Sequence, residues 1–250
     1  MDRFRAYLHM FAERVEEEIA KRVSFIQSTV RDSGAGGVVV GISGGIDSAV
    51  SAALCVRALG PERVIGIWMP IYSQAVHEAD ARALAEAIGL NLWTVDLAPA
   101  FDQIVAAIET QQPLSDGSKG NTKARLRMTT LYAVANERGW LVADTCNRSE
   151  IYVGYMTKGG DGLADFNPLA SLTKHEVRLL AKALGVPDSI IQKPPSADLW
   201  VGQTDEQEMG FTYEQLDRYL ITGEGDSCVI ERIEDMHRRS AHKRQLMPMC

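Results

Sequence analysis

The chain has 250 residues, enough for one large domain or two small ones, and it carries 26 lysines and arginines against 33 aspartates and glutamates. Hydrophobic residues make up 46% of it and charged residues 24%, which excludes a disordered chain, a collagen-like repeat and a disulfide-stapled mini-protein. The net charge of −7 disfavours a general nucleic-acid binder, because an acidic surface is repelled by a phosphate backbone.

Four cysteines are spread along the chain without a CxxC pair, a spacing that fits neither a zinc site nor a disulfide framework. Isolated cysteines are typical of a reducing compartment. The N-terminus lacks the cationic and apolar layout of a signal peptide, and no uncharged apolar run approaches the roughly 18 to 20 residues that span a bilayer. We therefore expect a cytoplasmic protein with no membrane partner.

The first half of the chain alternates apolar helices and strands. Residues 2–31 predict an amphipathic helix that packs on its own domain or on a partner subunit, and the apolar run at 38–43 predicts a buried parallel strand. The elements that follow are, in order, a helix at 47–59, a strand at 63–69, a helix at 74–88, a strand at 92–97 and a helix at 99–109. This alternation indicates a parallel sheet with both faces covered.

The second half contains two long polar loops, which are often functional lids in compact domains. Its elements are, in order, a loop at 111–121, a helix at 122–137, a strand at 140–145, a helix with a Thr173–Glu176 capping box, a loop at 192–210 and a helical tail at 212–250. The whole pattern predicts an α/β fold, a Rossmann-like doubly wound parallel sheet of about five strands flanked by helices. Residues 1–250 are expected to form a single domain.

The strongest signal is the string SGGIDS at 43–48, which joins the first strand to its helix. A glycine pair lets the backbone approach a ligand closely, and loop N–H groups at a helix N-terminus form an anion cradle. Asp47 suits such a site if it shares Mg²⁺ with bound phosphates. The string is neither a Walker A loop nor GxGxxG. An ordinary turn with Asp47 as a helix cap is the alternative interpretation.

The SGGIDS string resembles the PP-loop ATP pyrophosphatases, which cleave ATP to AMP and pyrophosphate and activate a substrate as an adenylate. Further strings follow in order: GNTKARLRM at 120–128, TCNRSE at 145–150, GYMTKGGDG at 154–162, DFNPL at 165–169, KPPSADL at 193–199, GQTDE at 202–206 and HKR at 242–244. Together they resemble the ammonia-dependent NAD synthetases over residues 41–244. The resemblance implies an adenine nucleotide alpha hydrolase-like sheet.

The resemblance also implies a set of site residues. ATP, the co-substrate, is assigned to Gly41, Ile42, Ser43, Gly44, Gly45, Ile46, Asp47, Ser48, Thr145, Lys174 and Ser196. Mg²⁺ is assigned to Asp47 and Glu150, and deamido-NAD to Arg125, Lys158, Asp165, His242 and Lys243. Judged singly, each of these cations is a solvated surface charge and Glu150 is a helix cap. A lysine in the first turn of a helix is electrostatically disfavoured, however, which favours a phosphate role for Lys174.

In the implied reaction the nicotinate carboxylate of deamido-NAD attacks the α-phosphorus of ATP and pyrophosphate leaves, after which ammonia displaces AMP from the adenylate and gives NAD. Asp47, Lys174 and Asp165 are the expected catalytic residues, with Asp165 orienting ammonia or taking its proton. The resemblance further implies a homodimer with the substrate at the subunit interface. Two alternatives stay open: another PP-loop ATP pyrophosphatase, either tRNA-modifying or GMP synthetase-like, and a non-catalytic nucleotide-binding module.

Overall fold

The computed structural model describes residues 2–195 and 204–249 of the chain. Four parallel strands form the central sheet in the order β3-β2-β1-β4, namely β1 (Val38–Ile42), β2 (Val64–Trp68), β3 (Asn91–Thr94) and β4 (Leu141–Ala143). Val39 of β1 is in register with Ile65 of β2 and with Val142 of β4. The order of the strands reverses between β1 and β4, so the topological switch point lies there.

Helices cover the sheet, as the alternating pattern predicts. Among the described residues they are α1 (Arg3–Glu13), α2 (Val15–Ser33), α3 (Ile46–Leu59), α4 (Ala75–Ile88), α5 (Ala98–Glu109), α6 (Asp116–Arg138), α7 (Arg148–Val153), α8 (Lys174–Ala183), α9 (Asp188–Gln192), α10 (Asp205–Met209), α11 (Tyr213–Thr222) and α12 (Ser227–Arg239). In the part of the chain that the structure describes, none of these helices has the length and apolar composition needed to cross a membrane.

The side chains of β1 alternate between two hydrophobic clusters, one on each face of the sheet. Val38 and Val40 pack with residues of α2, α3 and α8, whereas Val39 packs with residues of α5 and α6. Because helices cover both faces of the sheet, the sequence of β1 is a continuous apolar run. A third, smaller cluster lies among α7 and α10 to α12. A single domain over residues 1–250 stays a prediction.

The prediction of about five strands was wrong by one, because the described residues form four. The chain beyond α7 returns to β4 but makes only an isolated bridge, between Phe166 and Ala143. The Asp144 N–H donates to the Phe166 carbonyl at 2.8 Å. Pro168 follows immediately after Asn167 and has no N–H with which to continue a ladder. The pairing therefore stops before a fifth strand forms.

Three further predictions were wrong in their boundaries. The loop predicted at 192–210 contains α10, whose first turn is capped by the Thr204 hydroxyl accepting from the Gln207 N–H at 3.4 Å, and its residues 196–203 lie outside the described residues. The helix predicted over 2–31 is divided at Arg14, whose φ of −113° and ψ of 16° close α1 before α2 begins. The second half of the loop predicted at 111–121 is helical, because the Ser115 hydroxyl accepts from the Ser118 N–H at 3.2 Å and starts α6 at Asp116. Glycines at 117 and 120 had favoured a loop there. The Thr173 capping box of α8 is confirmed.

Candidate active site

A cavity of about 250 Å³ opens at the carboxyl ends of β1 and β4. Open parallel sheets bind ligands at such a switch point. Of the residues predicted to hold ATP or metal, its wall includes Gly41, Ile42, Ser43, Gly45, Ile46, Asp47, Ser48, Thr145, Glu150 and Lys174. Ser196 lies outside the described residues. The structure thus brings segments more than a hundred positions apart in sequence to one cavity, while their individual roles stay predictions.

The loop between β1 and α3 is held by its own serines. The Ser48 hydroxyl donates to the Gly45 carbonyl at 2.9 Å, and it accepts from the Ser43 N–H at 3.2 Å. The Gly45 N–H lies 3.2 Å from the Ser43 hydroxyl oxygen. Gly44 has a φ of +75°, and a Cβ there would lie 2.5 Å from the His77 carbonyl oxygen. Only glycine meets both conditions without strain.

The ammonium of Lys174 lies between two carboxylates. Its Nζ donates to Asp47 Oδ2 at 2.5 Å and to Glu150 Oε1 at 3.0 Å, and its side chain is only 3% exposed. Asn147 completes the arrangement, because its Nδ2 donates to Asp47 Oδ1 at 2.9 Å and its N–H donates to Glu150 Oε2 at 3.1 Å. Glu150 therefore caps α7 with one oxygen and contacts Lys174 with the other.

The electrostatics of this cluster show an excess of negative charge. Burial, reinforced by the Asp47 carboxylate, raises the pKa of Glu150 to about 8. Burial also raises the pKa of Asp205, which lines the same cavity. Burial would lower the pKa of Lys174, but Asp47 and Glu150 outweigh it and the pKa of the ammonium rises. Three acidic side chains thus surround one ammonium. The raised pKa values of Glu150 and Asp205 favour their protonated, neutral forms, while Lys174 stays protonated.

Helix α11 supplies an aromatic wall to the cluster. The Tyr213 side chain is 1% exposed, and its hydroxyl donates to Asp205 Oδ2 at 3.0 Å. The same hydroxyl lies 3.3 Å from Glu150 Oε1. The Lys174 Nζ lies 4.8 Å from the centroid of the Tyr213 ring. Among the described residues, the buried Oδ1 of Asp205 has no hydrogen-bond partner. Sequence reasoning missed both residues, because their only signal was their place in or beyond the GQTDE string.

A second residue of α11 joins the helices that carry Glu150 and Lys174. Asp217 is fully buried; its Oδ1 accepts from the Ser149 hydroxyl, and its Oδ2 accepts from the His175 N–H at 2.9 Å. The Ser149 hydroxyl oxygen also accepts from the Lys174 N–H at 3.2 Å. Ser149 and His175 are the chain neighbours of Glu150 and Lys174. Asp217 therefore fixes the spacing between the carboxylate and the ammonium.

The end of β4 is shaped by Asp144, another residue that sequence reasoning missed. Its Oδ1 accepts from the N–H groups of Thr145 and Cys146 at 2.6 and 3.0 Å, and its Oδ2 accepts from Asn167 Nδ2 at 3.0 Å. Burial raises the pKa of Asp144 to about 6, although these backbone donors oppose the rise. The carboxyl group holds the turn that places Thr145 in the cavity wall.

The residues predicted to bind deamido-NAD do not line this cavity. Four of them lie together outside it: Arg125 Nε donates to the Lys158 carbonyl at 3.2 Å, and Lys158 Nζ donates to the His242 carbonyl at 3.1 Å. Lys243 Nζ donates to the Gly154 carbonyl at 2.7 Å. The basic tail thus lies against the segment after α7, beside α6.

Asp165 is placed apart from these four cations. Its Oδ2 accepts from the Val142 N–H at 2.7 Å and its Oδ1 accepts from the Tyr132 hydroxyl at 3.2 Å, at the edge of β4. The side chain is exposed and does not belong to the cavity wall. Both carboxylate oxygens thus already have partners, so contact with a substrate would add to these hydrogen bonds or replace them.

Comparison with known proteins identifies the family. The family model for NAD synthase matches residues 18–247. An NH(3)-dependent NAD(+) synthetase of Carboxydothermus hydrogenoformans is 44% identical over 233 residues, covering 92% of this chain and 96% of the relative.

Solved structures give the same result at the level of the fold. An NMN synthetase from Francisella tularensis superposes with a TM-score of 0.90 at 40% identity, covering 94% of this chain and 98% of that one. An NH3-dependent NAD synthetase from Campylobacter jejuni, solved with a nitrate ion, gives 0.78 at 32% identity with the same coverage. The resemblance read from the ordered strings is confirmed: the chain belongs to the NAD synthase family.

Proposed function

We propose that this protein catalyses the ATP-dependent amidation of deamido-NAD with ammonia, giving NAD, AMP and pyrophosphate. The observation that carries the proposal is the shared cavity in which the SGGIDS loop faces the Lys174, Asp47 and Glu150 cluster. Such a cluster beside an anion-binding loop suits a triphosphate that must lose pyrophosphate. Relatives named as NH(3)-dependent NAD(+) synthetases support the same reaction.

Mg²⁺ fits this cluster through the chemistry of its oxygen donors. Three carboxylates face one ammonium, and the buried Asp205 Oδ1 lacks a hydrogen-bond partner among the described residues. Within those residues, however, no group of three or more histidines, cysteines and acids is arranged to hold a metal. We therefore assign Asp47 and Glu150 as its protein ligands, with phosphate and water completing the shell. When bound, Mg²⁺ supplies positive charge that stabilises the departing pyrophosphate.

The chain's own groups account for the remainder of the chemistry by positioning and charge. Loop N–H groups and the hydroxyls of Ser43 and Ser48 bind the phosphates, and Thr145 contacts the nucleotide at the end of β4. Lys174 would offset negative charge on the leaving pyrophosphate, and Asp47 and Glu150 would hold Mg²⁺. The acid substrate is its own nucleophile, so the protein provides none.

We assign the dinucleotide to the cations outside the cavity. Arg125, Lys158, His242 and Lys243 lie along one basic strip, which suits a pyrophosphate and a carboxylate. A second copy of the chain would cover this strip in a homodimer, and sedimentation measures that directly: an active monomer at assay concentration would refute the shared site. A cytoplasmic location also stays a prediction.

Asp165 is proposed to orient ammonia or to take its proton. Its exposed carboxylate lies at the edge of β4, beside the strand end that carries Thr145. The Asp165→Asn variant should need more ammonium for half-maximal rate. Full amide synthesis by that variant at limiting ammonium would refute the role.

One observation favours a second candidate acceptor. The NMN synthetase of Francisella tularensis superposes better on this chain, with a TM-score of 0.90, than the Campylobacter jejuni NAD synthetase does at 0.78. By the same amidation chemistry, its acid substrate would be nicotinic acid mononucleotide. Competition between the two acids in one reaction tests which is preferred: selective amidation of the mononucleotide would replace deamido-NAD in the proposal and leave the adenylating chemistry intact.

A mass balance tests the proposed function as a whole. Purified protein is mixed with Mg²⁺, ATP, deamido-NAD and ammonium, and NAD, AMP and pyrophosphate are quantified. Equimolar appearance of all three, lost when ammonium or Mg²⁺ is omitted, is the expected result. AMP without NAD would refute the acceptor or the donor and favour another PP-loop ATP pyrophosphatase. ATP binding without turnover would favour the non-catalytic nucleotide-binding module.

A further inference from the structure

Gly44 lies at the point where the phosphate loop packs against α4. Both of its neighbours, Ser43 and Gly45, belong to the cavity wall among the described residues, whereas Gly44 does not. Gly44 is buried, and its left-handed conformation brings it against the backbone of His77 at the start of α4. The peptide that follows Gly44 has one polar group directed to the side of the loop where His77 and Lys193 lie, and both of these residues also line the cavity.

That polar group, the Gly44 carbonyl, is bound by Lys193 at the end of α9. The Lys193 Nζ donates to the Gly44 carbonyl at 3.1 Å and to His77 Nδ1 at 3.1 Å, and it forms an ion pair with the Asp80 carboxylate. Asp80 is 5% exposed, and its other oxygen accepts from the Ser189 hydroxyl at 2.9 Å. The ammonium is thus fixed by two helices, α4 through Asp80 and α9 through its own backbone.

The orientation of one peptide follows from this contact. In a trans peptide the C=O and the N–H point in opposite directions. Because Lys193 holds the Gly44 carbonyl on its own side of the loop, the N–H of Gly45 points to the other side, where it lies 3.2 Å from the Ser43 hydroxyl oxygen. A flipped peptide would present a carbonyl oxygen there and repel a phosphate.

We propose that Lys193, anchored by Asp80, is a positioning residue that fixes the Gly44–Gly45 peptide in its anion-binding orientation. The inference rests on the proposed function only in that ATP is the ligand. Although Lys193 also lines the cavity, it acts through the loop, because its Nζ is already shared among a carbonyl, an imidazole nitrogen and a carboxylate. Because Lys193 already holds the peptide in this orientation, ATP binding requires no free energy to turn it.

ATP binding in the absence of any acceptor tests the proposal independently of amidation. Titration calorimetry with ATP and Mg²⁺ compares the parent protein with Lys193→Met, which keeps an unbranched side chain but removes the ammonium, and with Lys182→Met, which removes an exposed lysine of α8. Adenosine serves as a second probe because it has no phosphate. We expect Lys193→Met to raise the dissociation constant of ATP at least about tenfold, with adenosine and the control within about twofold.

Asp80→Asn separates positioning from a direct attraction between Lys193 and the phosphates. If the ammonium acted directly, removal of the nearby carboxylate would free it and strengthen ATP binding. Under the proposal the unanchored lysine releases the Gly44 carbonyl, and ATP binding weakens.

The affinities of these variants for ATP and adenosine decide whether Lys193 positions the peptide. Unchanged ATP affinity in Lys193→Met, a parallel loss of adenosine affinity, or tighter ATP binding by Asp80→Asn would overturn the proposal. Thermal unfolding of each variant verifies folding, and Asp80→Asn carries the test if Lys193→Met does not fold. An inactive parent that still binds ATP would refute the proposed reaction without touching this inference.

Discussion

The hydroxyl of Tyr213 is the sole polar atom of a fully buried ring, and it faces two carboxylates. Tyr213→Phe removes this oxygen and leaves the shape of the ring, so the contact with the Lys174 ammonium persists. Asp205 Oδ2 then loses its donor at 3.0 Å, and Glu150 Oε1 loses its 3.3 Å contact with the same hydroxyl. Hydrogen bonds to buried charged groups contribute about 1.5 to 3 kcal/mol.

This loss should be visible in both stability and metal dependence. At about 2 to 4 °C per kcal/mol for a chain of this size, the melting temperature should fall by roughly 3 to 12 °C. With Asp205 and Glu150 less well oriented, the Mg²⁺ concentration for half-maximal ATP binding should rise. Calorimetric melting and ATP titrations at graded Mg²⁺ measure the two effects on the same protein.

Tyr219→Phe is the matched control on the same helix. Its hydroxyl donates to Glu234 at 2.7 Å, and that carboxylate keeps the hydroxyl of Tyr152 at 2.6 Å when Tyr219 is changed. We expect a cost below about 1 kcal/mol and no change in the Mg²⁺ requirement. Equal destabilisation of the two variants, with Mg²⁺ dependence unaltered in both, would refute the reasoning about the site.

Three further outcomes follow from other parts of the cavity. Lys174→Met should lower unfolding free energy by about 3 to 5 kcal/mol and abolish AMP formation, since it leaves buried carboxylates unpaired; denaturant titration and product analysis measure both. The pKa of Asp144 is about 6 in the folded protein and 3.8 in the unfolded chain, so the free energy of unfolding should fall by on the order of 3 kcal/mol as pH rises from about 4 through 6. Urea titrations across pH measure this slope, which Asp144→Asn should lack. Gly44→Ala should lower the free energy of unfolding by more than about 2 kcal/mol and weaken ATP binding. Gly89→Ala, at φ +68° with open space around it, should lower the free energy of unfolding by about 1 kcal/mol and leave ATP binding normal.

The sequence predicted the part of the site that local patterns encode. An apolar run followed by SGGIDS indicates a strand, a loop and a helix, so the string by itself places Asp47 at the carboxyl end of β1. Glu150 was found through the TCNRSE string, whereas Lys174 was implied by the family resemblance and by its place in the first turn of a helix. Glu150 is the third residue of one capping-box helix, and Lys174 directly follows Thr173, the N-cap of another. The strings carry no information about tertiary contacts, so nothing in them indicates that one ammonium contacts both carboxylates.

The missed residues act through tertiary packing. Asp217 reaches its partners only because α11 lies against α7 and α8, and Lys193 contacts Gly44 across 149 positions of sequence. The boundary errors have a local origin instead. Ser115 could be recognised as an N-cap, but the glycines that follow it favoured a loop, and helix packing around the buried Gly120 outweighs their low helix propensity.

The dependence of the Lys174 and Glu150 cluster on α11 has a consequence for how the chain folds. Asp47 meets Lys174 across 127 positions, and Glu150 meets Tyr213 across 63. Contacts so distant in sequence form late, after the local strand, loop and helix units. During synthesis from the N-terminus, the phosphate loop is therefore complete long before α11 exists, and a nascent or C-terminally truncated chain carries the loop without the helix that orders its charged partners.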